Sequence, residues 1–166
     1  MSWTLRRATT ADARAIAESV AIGFDGYRAF APPGWMPPDI RGRGEVARMR
    51  ARLAAEGTWA AIAEDRGLVA GHVGFFPQPG VSGSAHLWQL FLRPPWWGSG
   101  LAAELLARGL DAAAAQGFRR MRLYTPRDQA RARAFYEREG FGPTGWEGLE
   151  EPLGLVLVEY ARSLQG

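Results

Sequence analysis

The chain predicts an α/β (α+β) fold, a mixed sheet with helices on its faces, and three observations carry that expectation. Segments with period-2 and with 3–4 apolar spacing follow one another in the order β-α-α-β-β-β-α-β-α-β-β, which suits a layered sheet-and-helix architecture. One segment, Ala85 to Leu92, is continuously apolar, as a central strand covered on two faces is. That strand runs through Arg93-Pro94-Pro95 into a loop bearing Gly98 and Gly100 and then a helical pattern, so strand, loop and helix N-terminus form one unit. At 166 residues, 47% of them hydrophobic, the chain has enough material for a core within one domain, 1–166.

Each element has its own local reason. Trp3 to Arg7 alternates apolar and polar positions and reads as the first strand. Thr9 and Asp12 form a T-x-x-D capping box, and Ala13, Ile16, Ala17 and Val20 follow on one helical face. Phe24 to Asp39 holds four prolines, two glycines and the aromatics Phe24, Tyr27, Phe30 and Trp35. It reads as an irregular loop, and a long loop in a compact domain points to function. Glu45 to Glu56 is a second helix, with Val46, Met49 and Leu53 inward and Gly57 as its stop. Thr58 to Glu64 and Leu68 to Phe76 form a hairpin about Asp65-Arg66-Gly67. The third helix begins near Ser99 or Gly100, with Ala102, Leu105, Leu106, Gly109, Leu110 and Ala113 as its buried stripe. Arg120 to Thr125 is a strand. Asp128 is expected to cap a fourth helix running to Glu139, which Gly140 closes. Thr144 to Trp146 and Leu153 to Tyr160 supply the last two strands.

Composition excludes several classes. The chain has no cysteine, so disulfides, thiolate metal sites and cysteine nucleophiles are ruled out. Its acids and two histidines show no ligand spacing, and no metal is expected. No apolar run approaches the length of a membrane span, and the opening residues lack the apolar core of a secretion signal, so a cytoplasmic protein is expected. All 20 basic residues are arginines, and the net charge is +3. They are scattered along the chain rather than gathered in a stripe, which favours a solvated surface over a nucleic-acid interface.

Two constellations could carry chemistry. Gly98-Ser99-Gly100-Leu101-Ala102-Ala103 opens a helix, where backbone N–H groups and the helix dipole favour phosphate. The run also satisfies the dinucleotide pattern G-x-G-x-x-A. However, it follows a meander rather than opening a first βαβ unit, and the next strand offers no acid for a ribose hydroxyl. The second is Gln129 to Phe141, where Phe135 and Tyr136 share a helix side. On spacing alone those rings read as core; a Tyr136 hydroxyl facing a cleft could instead protonate a leaving group.

Together the two constellations resemble the GNAT superfamily of N-acetyltransferases. Leu92-Arg93-Pro94 followed by Trp97-Gly98-Ser99-Gly100-Leu101-Ala102 is similar to the family's V-x-P and Q/R-G-x-G-x-G/A loop. Gln129-x-x-Ala132-x-x-Phe135-Tyr136-Glu137-x-x-Gly140-Phe141 is similar to its N-x-x-A-x-x-x-Y-E-x-x-G-F helix. Leu5-Arg6-x-Ala8-Thr9-x-x-Asp12 resembles the family's opening strand and helix, so the likeness spans nearly the whole chain. Trp97 departs from the loop's Gln or Arg, and Gln129 from the helix's Asn.

The resemblance implies a mostly antiparallel central sheet of about seven strands with about four helices, and acetyl-CoA as the cofactor. The pyrophosphate would rest on the amides of Trp97, Gly98, Ser99, Gly100, Leu101 and Ala102, with Gln129 as a further contact. The pantetheine arm would pair with the strand edge at Leu90, Phe91 and Leu92, where a backbone N–H would polarise the acetyl carbonyl. Tyr136 would protonate the leaving thiolate. The amine would attack directly, without an acyl-enzyme. His86, whose ordinary pKa suits proton transfer near neutrality, is the expected general base, with Glu147, Glu150 and Glu151 as alternatives. Phe24, Tyr27 and Trp35 are expected to line the acceptor pocket. The expected partner is a small-molecule primary amine, with neither nucleic acid nor membrane; a homodimer is compatible. Protein N-terminal or lysine amines, or a non-catalytic acyl-CoA-binding module, are the alternatives.

Overall fold

Alternation along the strands decides which helix covers which face. The structure, a computed structural model, describes residues 2–165. Its strands are β1 (Thr4–Arg7), β2 (Trp59–Asp65), β3 (Leu68–Pro77), β4 (Ser84–Leu92), β5 (Arg120–Pro126), β6 (Gly142–Glu150) and β7 (Leu155–Ser163). They form one sheet in the order β1-β2-β3-β4-β5-β7-β6. Every neighbouring pair is antiparallel except β4 with β5, which is parallel. The helices are α1 (Ala13–Gly26), α2 (Arg43–Ala54), α3 (Leu101–Ala115) and α4 (Ala130–Arg138).

On β2, Trp59, Ala61 and Ala63 face the same core as Leu101, Leu105 and Leu106 of α3. Ile62, one step out of phase, joins Ile16 and Val20 of α1 with Phe91, Met49 and Leu53 beside them. Phe135 and Tyr136 of α4 pack on the α3 side. The sheet is therefore sandwiched between α1/α2 and α3/α4, and the period of two along each strand separates the two cores. The hairpin turn has Arg66 and Gly67 at φ 53 and 78, the left-handed pair that a tight two-residue β-turn requires.

The capping box forms as expected. The Thr9 N–H donates to Asp12 Oδ2 (2.7 Å) and the Ala11 N–H to Thr9 Oγ1 (3.3 Å), while Arg6 grips both Asp12 oxygens. Two expectations are corrected. Phe24, Asp25 and Gly26 belong to α1, and Tyr27–Ala29 continues as a short 3-10 turn, so the irregular segment starts at Phe30. Prolines begin only at Pro32, so none breaks the helix at Phe24. Asp128 does not cap α4: its carboxylate is drawn to Arg127, and Gln129 occupies the N-cap position without a side-chain cap bond.

Candidate functional site

The site is made by two strands that part. β4 and β5 pair in parallel from Ser84 with Arg120 to Leu87 with Leu123 and then separate, while β4 continues along β3 to Leu92. A bulge opposite Gly74 and Phe75 marks the change. The Arg93 N–H donates to Ala70 O (2.8 Å), which sets the ladder's phase. The backbone groups of Phe91 and Arg93 thus face β3, and those of Leu90 and Leu92 face the gap toward β5. Of the expected edge residues, Leu90 and Leu92 present backbone to the gap; Phe91 does not, and its ring instead packs on Phe24 of α1 (centroids 5.9 Å, edge-on).

Beyond β4 the loop turns through Pro94–Trp96 and enters α3 at Gly100, which sits at φ 91, a left-handed angle that glycine adopts without strain. The loop's amides alternate. Trp97 N–H bonds to Pro94 O, Ser99 N–H to Trp96 O, and Leu101 N–H to Ser99 Oγ. Those of Gly98, Gly100, Ala102 and Ala103 make no hydrogen bond within the described residues. The expected cradle of Trp97 to Ala102 is therefore narrower in its free donors than the motif implies, and extends one residue further into the helix. These four N–H groups at a helix N-terminus fit a diphosphate. Arg131 of α4 adds a cation there, its guanidinium 4.0 Å from where a Gly98 side chain would begin. Sequence reasoning missed Arg131, because its place at the loop depends on how α4 packs.

The two tryptophans find partners that sequence gave no hint of. Buried Trp96 donates its indole N–H to Asp65 Oδ2 (2.9 Å), tying the loop to the hairpin turn. Trp97, 49% exposed, donates its indole N–H to Leu92 O (2.9 Å) and lies beside Gly26 at the end of α1. One of the gap's four backbone groups is thus already engaged by a side chain.

Three elements come together around Tyr27: α4 with Tyr136, the end of α1, and the β6–β7 turn. Tyr136 of α4 packs edge-on against Phe135 and Phe141, and its hydroxyl makes no hydrogen bond within the described residues. Burial pushes its pKa above the ordinary tyrosine value, so the phenol stays protonated. Tyr27 is also pushed up, first by burial and then by the proximity of Tyr136 and Glu150. Tyr27 in turn stands among Phe24 (5.3 Å), Phe30 (5.2 Å) and Trp35 (6.4 Å), and the Trp35 indole N–H donates to Leu153 O (2.7 Å). The expected acceptor residues Phe24, Tyr27 and Trp35 are gathered into one cluster, clasped to the β6–β7 turn. The Gln129 side chain makes no hydrogen bond within the described residues.

His86 is placed differently from expectation. Arg122 Nε donates to its Nδ1 (2.8 Å), and burial together with the Arg122 charge pushes its pKa down to about 4. With Nδ1 accepting, the neutral ring carries its proton on Nε2 and has no free lone pair for an ammonium proton. That geometry works against a general base. His72 is fully buried; its Nε2 is 3.0 Å from Gln89 Oε1, and burial lowers its pKa to about 4. Glu147 pairs with Arg127, whereas Glu150 ends β6 without an ion pair among the described residues. No group of three or more His, Asp or Glu with metal-binding geometry occurs among the described residues.

The family model for the acetyltransferase (GNAT) family matches residues 25–141. No curated protein matches the chain. Among solved structures, it is similar to YncA from Salmonella typhimurium, solved with its cofactor acetyl-CoA, at 22% identity and TM-score 0.73 over 100% of this chain and 96% of that one. It is also similar to PaiA N-acetyltransferase from Thermoplasma acidophilum in complex with coenzyme A, at 16% identity and TM-score 0.69 over 96% and 98%. A third is the ribosomal-protein-S18-alanine N-acetyltransferase from Escherichia coli, at 16% identity and TM-score 0.71 over 99% and 96%. At these identities the likeness is one of fold.

Proposed function

The chain belongs to the acetyltransferase (GNAT) family, and from that premise we propose that it acetylates the primary amine of a small molecule. Acetyl-CoA is the cofactor of the family, and it supplies an activated acetyl group that the amine takes directly. One observation carries the reading. The strand edge at Leu90, the amides of Gly98, Gly100, Ala102 and Ala103 and the hydroxyl of Tyr136, all without a hydrogen bond among the described residues, lie respectively on β4, on the loop and first turn that follow it, and on α4.

Each of these groups has a task that its surroundings suit. The four amides and Arg131 hold the diphosphate, with Gln129 as a neighbouring amide contact. The Leu90 backbone orients the arm and polarises the acetyl carbonyl, as a donor fixed in a strand can without reorganising. Tyr136, kept protonated by burial, gives its proton to the departing thiolate. Glu150 takes the role first expected of His86, receiving the amine's proton, since it lies near Tyr27 and has no ion-pair partner among the described residues. Phe24, Tyr27 and Trp35 wall the acceptor side.

The test is thiol release from acetyl-CoA with and without a panel of primary amines, in wild type and Tyr136→Phe. Amine-dependent release is expected, with kcat lowered roughly 100-fold or more in the variant and KM for acetyl-CoA little changed. Release that ignores the amine would refute transfer, and an unchanged kcat would refute the acid.

A further inference from the structure

Beside the gap, the sheet carries a row of rings that the steps above leave unused. Trp88 and Phe76 have centroids 6.3 Å apart, Phe76 and His86 5.1 Å, His86 and Tyr124 5.5 Å, and Tyr124 and Trp146 4.9 Å. The row therefore joins β3, β4, β5 and, across β7, β6. Ala85 and Leu87 turn to the α3 core, so His86 between them turns to the opposite face. Gly74 leaves room there for Trp88, whose ring lies 3.3 Å from where a side chain on Gly74 would begin. Arg52 of α2 closes one end by lying over Phe76 at 3.9 Å, and Trp146 leaves the other end 47% exposed.

One polar group stands within this row with a defined direction. Arg122 is anchored by the Tyr124 hydroxyl (2.6 Å) and by Glu159 (3.3 Å), which Thr144 also holds (2.8 Å), and from there it donates to His86 Nδ1. The proton of the neutral ring is thereby confined to Nε2, the ring nitrogen farther from the backbone. Nε2 makes no hydrogen bond within the described residues, and it is not among their buried unpaired atoms. The low pKa of His86 keeps this single neutral form across the neutral range.

We propose that the row recognises the acceptor, and that the amine carries a flat aromatic group lying on Trp88 and Tyr124 with an oxygen substituent that accepts the Nε2–H of His86. The inference rests on the amine-acetylating reading and names the substrate class for that same gap. Trp88, the residue that the bulge leaves unpaired, stands two positions before Leu90, and a short linker between ring and amine bridges the two. Arg122 lies over one face of Tyr124 (4.5 Å to the ring centroid), and the tilted pairs of the row leave edges and uncovered faces that an aromatic guest uses and an aliphatic one does not.

The experiment compares kcat/KM for 2-(4-hydroxyphenyl)ethylamine, 2-phenylethylamine and hexylamine with acetyl-CoA. About tenfold is expected between successive members. Trp88→Leu should erase the phenyl-over-hexyl ratio, and His86→Phe, which keeps a ring in the row, should erase the hydroxyl ratio while the phenyl-over-hexyl ratio persists. Circular dichroism of each variant checks its fold. Equal use of hexylamine and the aromatic amines by wild type overturns the inference and leaves amine acetylation standing. So does a hydroxyl ratio that survives in folded His86→Phe. Turnover of no amine overturns both, and calorimetric binding of acetyl-CoA then distinguishes a binding module from an inactive preparation.

Discussion

His86 and Arg131 show how single residues change meaning with their neighbours. As an isolated imidazole, His86 suits proton transfer; with Arg122 on Nδ1 it becomes a fixed donor. Nothing within several positions of His86 announces this, because Arg122 lies 36 residues away. Arg131 sits in a helix with arginines at 131, 133 and 138, and only packing singles it out, next to Gly98. If it holds the diphosphate, Arg131→Ala should raise KM for acetyl-CoA about 5- to 20-fold, with the amine KM unchanged. That corresponds to about 1–2 kcal/mol for a charge-assisted contact. Steady-state kinetics in each substrate checks it, and added salt should lessen the difference between the two proteins. The loop glycines were legible from the motif, but the alternation of free and engaged amides was not. It follows from where Pro94, Trp96 and Ser99 place their oxygens.

Among the elements, α3 and α1 carry glycines with opposite consequences. Gly109 lies inside α3, and a side chain there would meet Val73 at 3.5 Å and Trp59 at 3.7 Å, ordinary contact distances. Gly109→Ala removes a poor helix former without a clash, and should stabilise the protein by about 0.5–1 kcal/mol in urea unfolding. Gly23 in α1 is the reverse case, since a Cβ there would collide with the Phe91 ring. Gly23→Ala should lower stability by about 1–3 kcal/mol and disturb Phe91, which lies between Leu90 and Leu92 on the reactive edge. Helical spacing alone identified the buried stripe that includes Gly109, yet it treats both glycines alike. Boundaries fared less well: α1 runs to Gly26, because a helix ends where its backbone partners stop, not where an aromatic-rich segment starts.

Across the whole molecule, two histidines held neutral tie stability to pH. His72 and His86 both have pKa values pushed down to about 4 from 6.5, burial being the larger cause in each. Below pH 6.5 the unfolded chain takes up protons that the folded one refuses, so stability should fall as pH drops from about 6.5 to about 4 and change little through these groups below that. Each contributes at most about 1.4 kcal/mol per pH unit in that window. Asp12, whose pKa Arg6 lowers, pulls the same way at more acid pH. Urea midpoints measured from pH 7.5 to 4 in wild type and His72→Gln should show a shallower slope in the variant; parallel slopes would contradict the assignment. The sequence by itself determined the order of strands and helices, the glycine loop at the start of α3 and the helix bearing Tyr136, because periodicity, turn chemistry and a contiguous motif are local properties of the chain. The tertiary structure alone decided that β4 leaves β5 after Leu87, that Tyr27 lies near Tyr136 and Glu150, and that Arg122 fixes the proton of His86. Those relations arise from strand pairing and face-to-face packing between distant segments, where hydrogen-bond partners are set by register and burial rather than by spacing along the chain.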